Sequence, residues 1–209
     1  MLFRQAVTKF RICPASVFSK RRLFLFSAFG MGNSTLLVLS DSHGNVSALE
    51  AVFRWVKLLP EGTIGAAVFL GDGCRDISRA AAATGFSREW KLIRGNNDDS
   101  FSAPESAVLD FCGHRFFLCH GHRLSLYGGS YRLTAAARNM EANTALFGHT
   151  HLPHCEYAEG ILLVNPGSIG RPRSRAGSTF ALVECAEPSL EVQFWAVSPE
   201  KEIRNIRIT

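Results

Sequence analysis

Leu36-Leu37-Val38-Leu39-Ser40-Asp41-Ser42-His43-Gly44-Asn45 is an apolar run that stops abruptly in polar, turn-forming residues. Four apolar residues in a row, with no polar alternation, suit a strand covered on both faces. The next segment, Val46 to Leu59, has a different period. Leu49, Val52, Phe53 and Val56 fall on one helical face, with Asn45 placed to cap it. Working outward, Ala66 to Leu70 reads as a second strand and Lys91 to Arg94 as a third, with a short helix through Ile77–Ala83 between them. Val108–Phe111 and Arg115–Cys119 form a hairpin pattern turning at Gly113. Tyr131–Met140 is helical, Ala145–Phe147 and Ile161–Val164 are strands, and Thr179–Cys185 and Glu191–Val197 alternate around a Glu-Pro-Ser turn. Helices interleave early and strands dominate late, an order that implies layered α/β with two sheets and helices outside.

Composition narrows the class. A chain with 46% hydrophobic and 20% charged residues is neither disordered nor fibrous. No apolar stretch reaches the roughly 18 residues of a membrane span. The six cysteines (13, 74, 112, 119, 155, 185) form no CxxC pair, so free thiols in a reducing, cytoplasmic setting are expected. The net charge of +5 is uneven: residues 1–30 hold six of the 23 basic residues and none of the 18 acidic ones. The body is therefore close to neutral, which gives no support to binding of long nucleic acids. Residues 1–30 have three readings: a signal-like segment, an organelle transit segment, or sequence upstream of a true start at Met31. The third is preferred, with 31–209 as one domain, and the other two would mean import or export.

The ends of the strands carry the chemistry. Successive strands end in Ser40-Asp41-Ser42-His43-Gly44-Asn45, Gly71-Asp72-Gly73, Gly95-Asn96-Asn97-Asp98, His120-Gly121-His122 and Gly148-His149-Thr150-His151. Five strands thus deliver Asp, Asn or His beside glycine at the carboxyl edge, where open α/β sheets bind ligands. Asp41-x-His43 and His149-x-His151 place alternate side chains on one side of an extended segment, so each pair could grip one ion. Carboxylate, imidazole and amide oxygen suit manganese, iron, zinc, cobalt or nickel. Seven such groups exceed one tetrahedral site but suit two ions sharing a carboxylate, the arrangement that serves phosphoryl transfer with a metal-bridging hydroxide as nucleophile.

These five ordered motifs resemble those of the calcineurin-like metallophosphoesterases. The short spacing and Asn165-Pro166-Gly167-Ser168 resemble the small bacterial phosphodiesterase branch. The resemblance covers roughly residues 34–200. It implies a four-layer α-β-β-α sandwich with a dinuclear site at the carboxyl ends of the strands. Carried over position by position, Asp41, His43 and His151 would hold the first ion with Asp72 bridging, and Asn96, His120 and His149 would complete the second. Manganese is the first expectation for both. Many superfamily members have His directly after the motif Asn, and here that position is Asn97. An amide can donate a hydrogen bond to a phosphoryl oxygen but cannot act as a general acid. His122 is then the candidate leaving-group acid, the alternative being a supporting or solvated imidazole.

The expected activity is metal-dependent hydrolysis of a small phosphodiester, with no membrane partner and with homo-oligomerisation as a weak prior. Two alternatives stand beside it: a non-catalytic scaffold of the same fold, resembling a retromer subunit, and a nucleotide phosphomonoesterase. Asp98 has two readings, ligand positioning and turn capping. Arg75, Arg171 and Arg173 read as surface residues that could alternatively meet a phosphate. The Asn-Pro-Gly-Ser segment reads as a tight turn under the cleft.

Overall fold

The computed structural model describes residues 34–100, 103–186 and 189–208. The expectations placed on residues 1–30 and on the Glu187-Pro188 turn therefore lie outside the described residues. The leading run becomes β1 (Ser34–Leu39), and its double burial is explained by what lies on either side. Leu37 and Leu39 face a core shared with two helices, α1 (Val46–Val56) and α2 (Cys74–Thr84), while Leu36 and Val38 face a second core between two sheets. A strand sandwiched in this way has no use for polar alternation.

The first sheet also contains β2 (Ile64–Phe69) and β3 (Trp90–Leu92). β1, β2 and β3 run parallel, with Leu39 opposite Phe69 and Phe69 opposite Leu92. The second sheet is built from β4 (Ser106–Phe111), β5 (His114–Cys119), β6 (Thr144–Leu146), β7 (Pro153–Ala158) and β8 (Ile161–Pro166) in the order β4-β5-β6-β8-β7. Its three central strands, β5, β6 and β8, are parallel. α3 (Tyr131–Asn139) covers its outer face through Leu133 and Ala137, packed on Phe117, Ala145 and Leu163. The chain then returns to the first sheet as β9 (Ser178–Ala186), β10 (Ser189–Val197) and β11 (Ile203–Ile206), all antiparallel, giving the order β11-β10-β9-β1-β2-β3. The result is the expected four-layer α-β-β-α sandwich.

The largest differences from the sequence reading are two helix ends and two strands that it omitted. α1 stops at Val56, short of Leu59, because Pro60 pushes the residue before it out of helical conformation and Lys57 closes the last turn. α2 begins at Cys74, three residues earlier than expected, since its first turn is capped from outside by Asp98. β7 and β11 had no counterpart in the sequence reading; both are short edge strands with largely polar or exposed residues, and β7 starts on a proline. Among the described residues, no helix is long and apolar enough to cross a membrane.

Candidate metal centre

Parallel strands of one sheet share a carboxyl edge, and here the edges of both sheets meet. Asp41 and His43 leave β1, Asp72 leaves β2, and Asn96 to Asp98 follow β3. From the second sheet, His120 and His122 leave β5, and His149 and His151 leave β6. The loops are not extended. Asp41 (φ +56°), His43 (+45°), Asp72 (+59°), His149 (+68°) and His151 (+61°) all lie in the left-handed region. The alternating-strand argument for the Asp-x-His and His-x-His pairs is therefore corrected: these side chains leave left-handed turns, with His151 beside Asp41 and His43, and His149 beside His120. Such conformations cost about 1–2 kcal/mol per residue, although Asp and His are among the side chains that adopt them more readily.

Hydrogen bonds hold these turns in place. Asp41 N donates to Gly71 O (2.9 Å), His43 N to Asp72 O (3.0 Å) and Gly170 N to Asp41 O (3.0 Å), while Ser168 Oγ donates to Asp41 O (2.7 Å). Asn165 Nδ2 donates to Gly148 O (2.8 Å) and Thr150 Oγ1 (3.1 Å). The Asn-Pro-Gly-Ser segment therefore clamps the loop after β1 with Ser168 and the loop after β6 with Asn165. Backbones also approach ligands too closely for any side chain. A Cβ on Gly148 would stand 2.8 Å from Asp41 Oδ2, and one on Gly95 would stand 2.8 Å from Asp72 Cγ.

Four donor atoms cluster, from Asp41, His43, Asp72 and His151, all within 4.8 Å of one another. His151 Nε2 is 3.1 Å from Asp41 Oδ1 and 3.2 Å from His43 Nε2, and His43 Nε2 is 3.6 Å from Asp72 Oδ2. On the other side of Asp72, His120 Nε2 stands 3.5 Å from the same Oδ2. Asp72 thus lies between two imidazole groups, as a shared carboxylate should. The His149 ring centroid is 5.2 Å from that of His120.

These residues fit divalent ions. At bond lengths of about 2.1 Å, neighbouring ligand atoms in such sites lie roughly 3.0–3.4 Å apart, close to the separations seen here. Asp41 is fully buried. Its Oδ2 accepts from Ser40 Oγ (2.5 Å) and His149 N (3.1 Å), while Oδ1 faces His151 Nε2 at 3.1 Å and His120 Nε2 at 4.0 Å. His120 is also fully buried, and its Nε2 faces the carboxylates of Asp72 and Asp41. The tautomers are set from behind: His120 Nδ1 donates to Leu70 O and His151 Nδ1 to Arg171 O, both at 2.6 Å, leaving the Nε2 lone pairs facing inward.

The electrostatics agree. Burial acts to raise the Asp72 carboxyl, but the His120 imidazole and Asn97, which donates through N (2.8 Å) and Nδ2 (2.6 Å), outweigh it and hold the group well below the ordinary carboxylate range. His120 is raised despite burial because Asp72 and Asp41 face it, and His151 is raised by its contact with Asp41. Burial lowers His43 and His149. Two buried carboxylates thus recruit positive charge onto His120 and His151, the charge that a bound cation would supply in their place.

The remaining site residues divide. Asn97 reaches Asp72 through both of its hydrogen bonds, whereas the Asn96 side chain is exposed and makes no hydrogen bond among the described residues. The His122 ring centroid lies 5.5 Å from that of His120 and 6.2 Å from that of His149. Burial, followed by the charges of His120 and Arg123, lowers His122, which favours its neutral form at pH 7. Asp98 does both things expected of it. It accepts from Asp72 N (2.7 Å) and Gly95 N (2.9 Å), and caps α2 through Gly73 N (2.8 Å) and Cys74 N (2.9 Å). Arg75 is exposed and ion-paired with Asp99. The sequence reading missed Asp76, whose Oδ2 accepts from Ser42 Oγ (2.6 Å) and Gly44 N (2.8 Å) and so ties α2 to the loop after β1. Its place four residues after Asp72, in the first turn of a helix, was the available signal.

Comparison with known proteins follows the same lines. The sequence model of the calcineurin-like phosphoesterase superfamily domain matches residues 35–188. The probable metallophosphoesterase YsnB of Bacillus subtilis is 24% identical over 160 residues, 77% of this chain and 89% of that protein. A conserved Streptococcus pneumoniae protein, described as a predicted phosphoesterase, superposes with a TM-score of 0.66 at 27% identity, covering 85% of this chain and 99% of that one. Vps29 of Entamoeba histolytica, solved in complex with zinc, superposes with a TM-score of 0.64 at 20% identity, covering 83% and 98%.

Proposed function

The chain belongs to the calcineurin-like phosphoesterase superfamily, and from that membership we propose that it hydrolyses a small phosphodiester at the centre formed by the loops after β1, β2, β3, β5 and β6. The observation that carries the reading is the Asp72 carboxylate set between His43 Nε2 (3.6 Å) and His120 Nε2 (3.5 Å), with the buried Asp41 Oδ1 beside His151 Nε2 (3.1 Å). Asp41, His43 and His151 would hold one divalent ion and Asn96, His120 and His149 a second, with Asp72 shared. Manganese is the first choice, with nickel, cobalt, zinc and iron as substitutes. Such ions supply Lewis-acid stabilisation of phosphoryl charge and a water acidified to near neutrality.

The protein's own groups do the rest. Asp72, kept ionised by His120 and Asn97, holds negative charge at the middle of the site. Asn97 can turn its amide N–H from Asp72 to a phosphoryl oxygen, orienting the ester without giving up a proton. His122, neutral at pH 7, can donate its ring N–H to the leaving-group oxygen without acting as a strong acid. A site without a strong proton donor favours esters whose leaving group departs readily as an anion, and a diester needs less charge neutralisation than a monoester.

The test is hydrolysis of bis-(p-nitrophenyl) phosphate by metal-stripped protein, with manganese, nickel, cobalt, zinc and magnesium restored singly. Asp72→Ala and His149→Ala should each lose at least about 100-fold in kcat/KM. Absence of turnover with every metal, in folded protein shown to bind two ions, would refute the diesterase. The likeness to Vps29, named for sorting and solved with zinc, favours one second reading, an interaction scaffold. Metal binding does not separate the two readings; turnover does.

A further inference from the structure

We propose that the groove on the outer face of the second sheet is a binding site for an organic phosphate, a phosphomonoester anion carrying an aromatic or nucleoside group. The cavity is about 770 Å³, within the roughly 300–1,000 Å³ typical of small-molecule sites. Its floor is apolar, formed by Leu126, Leu133, Phe147 and Leu163. Its rim is cationic. Arg175, from the loop before β9, and Arg207, just beyond β11, both line it. Both are exposed, and neither makes a hydrogen bond or ion pair among the described residues.

Two guanidinium groups from distant parts of the chain, left unpaired at one cavity, are suited to an anion with several acceptor oxygens. The hydroxyl-bearing residues Ser130 and Ser174 also line it. The one carboxylate in the lining, Glu156, is engaged by His154, with Oε2 and Nε2 3.2 Å apart. The cavity therefore presents net positive charge above an apolar surface, the complement of a phosphate joined to a flat apolar group. It is separate from the metal centre. His149 and His151 face the ligand cluster, whereas Thr150 between them lines the groove and is held by Asn165 Nδ2. The inference does not depend on the proposed reaction.

The experiment is calorimetric titration of metal-stripped protein with adenosine 5′-monophosphate, with adenosine and inorganic phosphate as separate arms. One saturable site is expected, binding the nucleotide about tenfold or more tightly than either arm. Arg175→Ala combined with Arg207→Ala should weaken it about tenfold or more, and Asp72→Asn should leave it unchanged. In the wild-type protein, amide resonances of Thr150, Ser174 and Ala176 should shift on binding, which locates the site without any substitution. The proposal is overturned by absence of saturable nucleotide binding, by phosphate binding as tightly as the nucleotide, by binding indifferent to both arginines, or by loss in Asp72→Asn.

Discussion

Asp98 shows how much of the centre rests on a residue that offers it no ligand. One carboxylate satisfies four backbone N–H groups, those of Asp72, Gly73, Cys74 and Gly95, and those bonds outweigh burial in lowering its pKa. Hydrogen bonds to charged acceptors are worth about 1.5–3 kcal/mol each and do not add fully. Asp98→Ala should therefore lower stability by about 2–4 kcal/mol and weaken metal binding by about 10–100-fold, read by denaturant melts and metal titration. Gly148→Ala separates position from stability. The new Cβ meets Ser40 and the Asp41 carboxylate, an overpacking of about 1–3 kcal/mol concentrated on one ligand. Metal affinity should fall far more than Tm, whereas Gly160→Ala, with open space around it, should change only Tm. The sequence displayed Asp41, His43, His149 and His151 as ligand types but hid their left-handed backbone. At Asp41 that conformation is held by Ser168, Gly170 and Gly71, and at His43 by Asp72, residues far away in the chain that no local pattern connects to them.

At the level of elements, the β9–β10 hairpin carries a like-charge pair. Glu184 sits directly opposite Glu191, and burial, then that neighbour, raises the Glu184 pKa. A carboxyl raised in the folded state contributes stability below its ordinary pKa of 4.5 and loses it as pH rises through the higher folded value. Glu184→Gln should thus raise stability at pH 7 by about 0.5 kcal/mol, the scale of a cross-strand pair, with the gain disappearing near pH 4. Parallel melts of both proteins at the two pH values check it. Legibility followed burial among the strands. β1 was readable because Leu36–Leu39 are buried on alternate faces by two different cores, and β9 and β10 because they alternate. β7, written Pro-His-Cys-Glu-Tyr-Ala, pairs with β8 at the edge of its sheet and needs little apolar surface, so nothing in its composition announced a strand. The ends of α1 and α2 were set by Pro60, which was visible, and by Asp98, which acts from another loop.

Across the whole molecule, the centre takes its groups from both sheets, and its parts are far apart along the chain. His149 N bonds to Asp41 Oδ2 across 108 positions. A site of this kind cannot exist until both sheets have formed and docked, so a cation has nothing complete to bind while the chain is still searching for its fold. Bound metal should act as a late latch. Manganese at about 100 times its dissociation constant should stabilise the protein by about 2.7 kcal/mol, with nearly all of it appearing as slower unfolding and almost none as faster refolding. Stopped-flow chevrons with and without metal measure the division, and a refolding limb accelerated by metal would contradict it. The lifetime of the folded state would then follow the supply of cation, while the time needed to reach it stayed a property of the polypeptide alone.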